Sequence, residues 1–117
     1  MREEKIIRVC RFASKKEILD LLSGNIIINT KIQEVNDVTI IGFLFWKIDD
    51  EDKIKEMLEK QDEEFCMMID IEESVLKKYT DDLYSSISYT LIKSRIIKIW
   101  EKESLKLIDI NEIKEDK

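Results

Sequence analysis

The chain contains no histidine and no proline, only two glycines (Gly24 and Gly42) and only two cysteines. Each shortage removes a class of function. Without histidine there is no Ser-His-Asp or Cys-His catalysis, no imidazole-ligated metal and no histidine pH switch. Two isolated glycines cannot build a phosphate-cradling loop or a dinucleotide fingerprint. The absence of proline leaves no Pro-rich linker between modules. Cys10 and Cys66 do not form a CxxC, so no zinc ribbon or thioredoxin-like motif is encoded. Both lie in apolar stretches and read as buried, reduced thiols.

No apolar run reaches the roughly 18 residues of a membrane span, and the segment Ile40–Trp46 reads as a buried strand. The N-terminal MREEK carries no signal-peptide core, which gives the expectation of a cytoplasmic protein without membrane attachment. At 117 residues, 44% apolar, the chain suits one domain with a substantial core.

Pattern places the elements. Glu4–Phe12 alternates as a strand, with Ile7, Val9 and Arg11 on one face and Ile6, Arg8, Cys10 and Phe12 on the other. Ser14-Lys-Lys-Glu17 reads as a capping box opening a helix over Ser14–Ser23, with Ile18, Leu21 and Leu22 as its stripe and Gly24 as its stop. Ile26–Thr30 reads as a short strand, and Lys31–Val38 as a loop turning at Asn36-Asp37. Thr39–Ile48 reads as a central strand apolar on both faces. Asp49 or Asp50 caps a second helix, Glu51–Gln61, with Ile54, Met57 and Leu58 inward.

Phe65–Ile71 is a further strand, Glu72–Tyr79 one or two helical turns, and Thr80–Asp82 a turn. Ile87, Tyr89 and Leu91 alternate with Ser86, Ser88 and Thr90, a half-buried strand pattern. Ile96–Trp100 and Leu105–Ile110 read as strands joined by a hairpin at Glu101–Ser104, a helix through Leu91–Trp100 being the open alternative. Asn111–Lys117 reads as a frayed tail. The expected fold class is α+β: one domain, residues 1–117, with a mixed, mainly antiparallel sheet of five or six strands packed by two main helices.

Charge is unevenly placed. Residues 49–64 hold nine acids against Lys53, Lys55 and Lys60, a balance equal to the net charge of −6 of the whole chain. Asp49, Asp50, Glu51, Asp52, Glu56 and Glu59 form a candidate surface for a protein partner, because a carboxylate-rich face can occupy a basic groove. The plain alternative is a solvated helix face with interleaved lysines. The segment lacks the spacing and glycine of an EF-hand, which argues against calcium. A second candidate is Lys93, Arg95, Lys98, Lys102 and Lys106 with Trp100 and Tyr89, a combination able to bind single-stranded nucleic acid. The pI of about 4.8 argues against a dedicated nucleic-acid role. The third is Glu101-Lys-Glu103, whose carboxylates share a face and could stabilise a cationic sugar transition state, or simply tip a hairpin.

The run from Arg8 through Arg11-Phe12-Ala13-Ser14, then Glu17, Leu21-Leu22-Ser23-Gly24 and Gly42-Phe43-Leu44-Phe45, resembles small phage-encoded proteins of ADP-ribosyltransferase-like fold, some of them inhibitors of bacterial defence. The resemblance covers the first third of the chain best. It implies NAD as cofactor for an enzymatic reading, with Arg8 or Arg11 holding the dinucleotide, Ser86 and Ser88 shaping the site and Glu101 or Glu103 carrying catalysis. Ser86 and Glu101 are about fifteen residues apart, closer than a helix-separated pair would lie. The leading expectation is a non-enzymatic protein-interaction module without cofactor or metal, monomeric or homodimeric. A mobile-element inhibitor of a host defence protein is its most specific form. The NAD-dependent transferase and the nucleic-acid binder are the alternatives.

Overall fold

The computed structural model describes residues 5–91 and 94–113. At its centre two eight-residue strands, β1 (Ile6–Ala13) and β6 (Phe65–Glu72), pair antiparallel over their whole length, from Ile6 opposite Glu72 to Ala13 opposite Phe65. The other strands are β2 (Ile27–Ile28), β3 (Ile32–Val35), β4 (Val38–Ile41), β5 (Phe43–Trp46), β7 (Lys77–Lys78), β8 (Leu83–Ser86), β9 (Ser88–Tyr89), β10 (Ser94–Glu101) and β11 (Leu107–Ile108). Seven of them form the main sheet, in the order β11-β10-β6-β1-β5-β8-β7, while β2-β9 and β3-β4 form two small ladders. All these pairings are antiparallel, and the fold is α+β, with seven strands in the main sheet where five or six were expected.

The central strands are covered on both faces because their alternating residues are apolar on both. One face carries Ile7, Val9, Ala13, Met67, Ile69 and Ile71 against Ile18 and Leu21 of helix α1 (Lys15–Leu22). The other carries Cys10, Phe12, Cys66, Met68 and Trp100 against Ile54 and Leu58 of helix α2 (Glu51–Lys60). Both thiols are buried and unbridged. Cys10 Sγ lies 3.4 Å from the Ile48 carbonyl oxygen. The hydrogen bond between the thiols, reinforced by burial, pushes the Cys66 thiol up, out of the reactive range.

Both helices start on the expected caps. The Glu17 N–H donates to Ser14 Oγ at 3.2 Å, and the Asp52 N–H to Asp50 Oδ1 at 3.0 Å. In α2, Glu51 and Asp52 at the start and Lys60 at the end complement the helix dipole. Gly24, at φ +83°, closes the α1 turn.

The middle of the chain departs from expectation. Lys31–Val38 is no loop: β3 and β4 form a hairpin whose turn places Asn36 and Asp37 at φ 51° and 67°. Two consecutive left-handed residues match the twist of a two-residue hairpin, and asparagine and aspartate tolerate that conformation. Nor is Thr39–Ile48 one strand. Gly42, at φ +100°, breaks it, sending β4 into the small ladder with β3 and β5 into the main sheet. Glu72–Tyr79 makes one 3-10 turn at Glu73–Val75 before β7.

The Ser86–Leu91 alternation also fails. Ile87 is 53% exposed while Ser86 and Tyr89 are buried, because the chain kinks between β8 and β9. Ser86 Oγ holds the kink by donating to the Ser88 carbonyl at 2.5 Å and lying 3.3 Å from the Ser88 N–H. The 94–101 stretch is strand rather than helix, bulged between Ile96 and Lys98. Leu105–Ile110 keeps only two residues as strand, since Leu105 sits at φ 57° and a 3-10 turn begins at Ile110. Asn111–Ile113 is ordered rather than frayed, capped by Asp109 with Ile113 in the core; residues 114–117 of that expected tail lie outside the described residues.

Candidate functional site

The loops and kinks cluster at one end of the sheet and build a cleft of about 740 Å³. Its floor is Ile71, Leu76 and Tyr89, and Ile26, Ile41 and Ile87 stand on its rim. Ile28 and Ile32 lie beside it. β2 lies on β9 with Ile28 opposite Ser88, and the Asn29 N–H donates to the Ile87 carbonyl at 2.9 Å. Ile32 pairs with Ile41 across the β3-β4 hairpin. Ile26, Ile28, Ile32, Ile41 and Ile87 are 44–70% exposed. Ile26, Ile41 and Ile87 line the cleft, and Ile28 and Ile32 adjoin it through the β2-β9 and β3-β4 ladders.

A polar network under the cleft fixes its floor. Arg11 leaves β1 on the α1 face and meets Glu17 in a two-pronged ion pair, Nε to Oε2 at 2.9 Å and Nη2 to Oε1 at 2.8 Å. The Tyr89 hydroxyl donates to the same carboxylate at 2.6 Å, and Arg11 Nη1 donates to the Leu44 carbonyl at 3.3 Å. The guanidinium lies 4.9 Å above the Phe43 ring, and Tyr89 packs edge-on against Phe43 and Phe45. Only 14% of the Arg11 side chain and 13% of the Glu17 side chain are exposed. Burial opposes the Arg11 charge, yet the Glu17 bonds and charge outweigh it and hold the guanidinium above its ordinary value. Burial, with the Glu17 charge, pushes the Tyr89 phenol well above 10.

The expected capping box is therefore half formed. The Glu17 backbone bonds the cap, but its carboxylate is committed to Arg11 and Tyr89. The network escaped sequence reading because capping already explained Glu17. The available signal was Arg11 and Glu17 flanking a strand-to-helix reversal, which returns the chain past itself.

The Tyr89 environment has an alkaline consequence. Its folded pKa is raised, so its contribution is fully present below the unfolded value near 10 and is lost as pH rises through the folded value. Stability should fall with rising pH above about 10, and in a pH titration of tyrosinate absorbance Tyr89 should be resistant until unfolding. In Tyr89→Phe that resistant tyrosine should be missing. Full ionisation of all three tyrosines in the folded chain would contradict the arrangement.

The dinucleotide constellation does not converge. Arg8 projects from the opposite face to Arg11 and makes a bidentate pair with Asp70 at 2.7 and 3.0 Å, which holds the Asp70 carboxyl below its ordinary value. Ser86 and Ser88 lie at the cleft, at the β8-β9 kink. Glu101 ends β10, with β6, β1 and β5 between it and β8. Four strand spacings make that separation about 19 Å. Glu101 and Glu103 instead border a separate depression with Asp62, Glu64 and Lys102.

The acidic candidates lie on the far side of the molecule from α1. Asp49, Asp50, Glu51, Asp52, Glu56 and Glu59 are all exposed. Lys55 pairs with Glu51 and Lys60 with Glu56, each at 3.4 Å, and Asp50 serves as cap. The Trp100 indole N–H, 3.4 Å from Glu51 Oε1, lowers that carboxyl together with Lys55. Asp49, Asp52 and Glu59 have no ion pair among the described residues.

The basic candidates lose their aromatic platform. Trp100 and Tyr89 are buried, on opposite faces of the fold. Arg95, Lys98 and Lys106 are exposed, the Lys102 ammonium donates to the Gln61 carbonyl, and Lys93 lies outside the described residues. Among the described residues no group of three Cys, Asp or Glu side chains comes together to hold a metal. None of the described helices is long and apolar enough to cross a membrane. No protein-family model matches this chain, and neither do curated proteins or solved structures.

Proposed function

We propose that this protein is a protein-interaction module without catalytic activity, and that the isoleucine-rich end of the sheet is its main contact surface. The observation that carries the reading is the gathering of Ile26, Ile28, Ile32, Ile41 and Ile87 around one cleft. Burying such side chains against a partner contributes about 1.5–3 kcal/mol each when complete. The kinks that expose Ile41 and Ile87 rest on Gly42 and on the Ser86–Ser88 hydrogen bonds. The acidic helix face supplies a second element: it would accelerate encounter with a basic partner while contributing less to residence time. A host defence protein, as the resemblance to phage inhibitors suggests, is the most specific partner of this kind.

Affinity capture from lysate followed by titration of the purified partner tests the reading. Ile28→Glu with Ile32→Glu should reduce affinity at least about a hundredfold, as expected for central apolar anchors, with unfolding unchanged. Reversal of Asp50, Glu51, Glu56 and Glu59 to lysine should mainly slow association and remove its salt dependence. A partner that binds both variants as tightly as the native chain refutes the proposed surfaces.

A further inference from the structure

The far edge of the main sheet is left unfinished. β10 is eight residues long, yet β11 pairs only with its Ile99 and Trp100. Beyond Ile108 the chain leaves the ladder and curls into the 3-10 turn Ile110–Glu112, where the Asp109 carboxylate is taken up in accepting from the Asn111 N–H at 2.8 Å. The outer backbone edge of Ser94–Lys98 therefore meets no strand among the described residues. The gap is a depression of about 280 Å³ bordered by Ile96, Ile97, Ile99, Ile108 and Ile110. The two faces of this edge differ in chemistry. Ile96 stands opposite Ile69, on the α1 face with Ile108 and Ile110. Arg95 stands opposite Asp70 and Lys98 opposite Met68, both on the α2 face. The bulge between Ile96 and Lys98 is what brings residues three apart to one face. Both cations are exposed and form no ion pair among the described residues. The carboxylates that feel their charge, Asp70 and Glu51, are held by Arg8 and Lys55.

We propose that this edge accepts, by strand addition, an extended peptide segment of a partner in which acidic and apolar residues alternate. The backbone of Ser94–Lys98 supplies the hydrogen bonds. Successive side chains of an added strand point to opposite faces. Its apolar residues therefore lie against Ile96, Ile108 and Ile110, and its carboxylates beside Arg95 and Lys98. Charge selects this occupant over a second copy of the chain. Antiparallel self-pairing of β10 about its 96–97 midpoint sets Arg95 of one copy against Lys98 of the other, and cations on an edge strand guard against such pairing. An acidic strand turns that repulsion into attraction. β6 and β1 separate β10 from β5 and β8, so the site is independent of the isoleucine cleft.

Titration of a labelled, capped peptide alternating glutamate and valine with the full chain, read by fluorescence anisotropy at low ionic strength, tests the site. One peptide should bind per chain, with affinity falling as salt is added. Backbone amide NMR signals of Ser94–Lys98 should shift on binding. The lysine-valine counterpart should bind at least about tenfold more weakly. Of the two forms of the glutamate peptide N-methylated at alternate residues, the one blocked on the edge facing β10 should lose binding and the other keep it. Arg95→Gln with Lys98→Gln should weaken binding about tenfold, the weight of two cross-strand charge pairs, and both side chains are exposed, so folding is unchanged. Absence of binding at millimolar chain overturns the proposal, as does equal binding of the lysine peptide, equal binding of both N-methylated forms, or unchanged affinity in the double variant. A thymidine oligonucleotide that binds more tightly than the peptide overturns it in favour of nucleic acid. Shifts at Ser94–Lys98 that depend on chain concentration without peptide overturn it in favour of a second copy. Ile28→Glu with Ile32→Glu should leave peptide binding intact, so failure of this edge and failure of the isoleucine surface are separate results.

Discussion

Replacing Glu17 with alanine is expected to destabilise the fold by about 3–5 kcal/mol, the range for stranding one member of a buried ion pair. The substitution removes both hydrogen bonds to Arg11 and the acceptor of the Tyr89 hydroxyl. Arg11 cannot readily escape to water. It is pinned under Phe43 and bonded to Leu44, and its side chain is mostly buried. An uncompensated guanidinium and an unsatisfied phenol would then share one apolar region. Urea unfolding measures the change. The double variant Arg11→Met with Glu17→Leu should recover much of the loss, because apolar groups of similar volume can replace a buried pair at little cost. A loss below about 1 kcal/mol for Glu17→Ala would mean that Arg11 finds solvent and that the network does not hold the cleft floor. Because Tyr89 belongs to both network and cleft, the same variant should weaken partner capture as the floor loosens.

Gly42→Ala is the second large effect. At φ +100° an L side chain is strained, at a cost of roughly 1–3 kcal/mol. A Cβ there would also lie 2.4 Å from the Ser86 carbonyl oxygen and 2.8 Å from its carbon. These are backbone atoms of the neighbouring strand, so no side-chain rotation relieves the clash. Overpacking of this kind adds roughly 1–3 kcal/mol. The combined loss of about 2–6 kcal/mol should appear as a lower denaturant midpoint, and the β8-β9 kink should shift with it. Gly24→Ala is the control: its φ is +83° but nothing lies within 4 Å of the added carbon, so only the conformational cost applies. Equal losses for the two variants would show that the close approach of Gly42 to Ser86 carries no weight.

The two effects differ in how far they could be read in advance. Gly24 is legible as a helix stop because it follows a capped amphipathic segment. Gly42 sits inside an apolar run that reads as one strand. What breaks the run there is the backbone of Ser86, forty-four positions away in sequence, which leaves no space for a Cβ. The same limitation explains Ile87. Local alternation turns it inward, and only the kink anchored by Ser86 and by β2 turns it out.

Residue order alone determined the elements whose signals are local. The Ser14 and Asp50 caps, the Ile18–Leu21 and Ile54–Leu58 stripes, the alternation of β1 and the two-sided apolarity of β6 all act within a few residues, through hydrogen-bonding capacity and side-chain period. They sufficed for an α+β domain built on two amphipathic helices. Tertiary structure decided everything that depends on which strand lies beside which. Strand order placed Ser86 and Glu101 four strands apart and left the outer edge of β10 open over Ser94–Lys98. Chain reversal after β1 turned Glu17 from a cap into the partner of Arg11 and Tyr89. Neither outcome is encoded in any short window, because the groups that meet are joined only through the packing of the whole sheet.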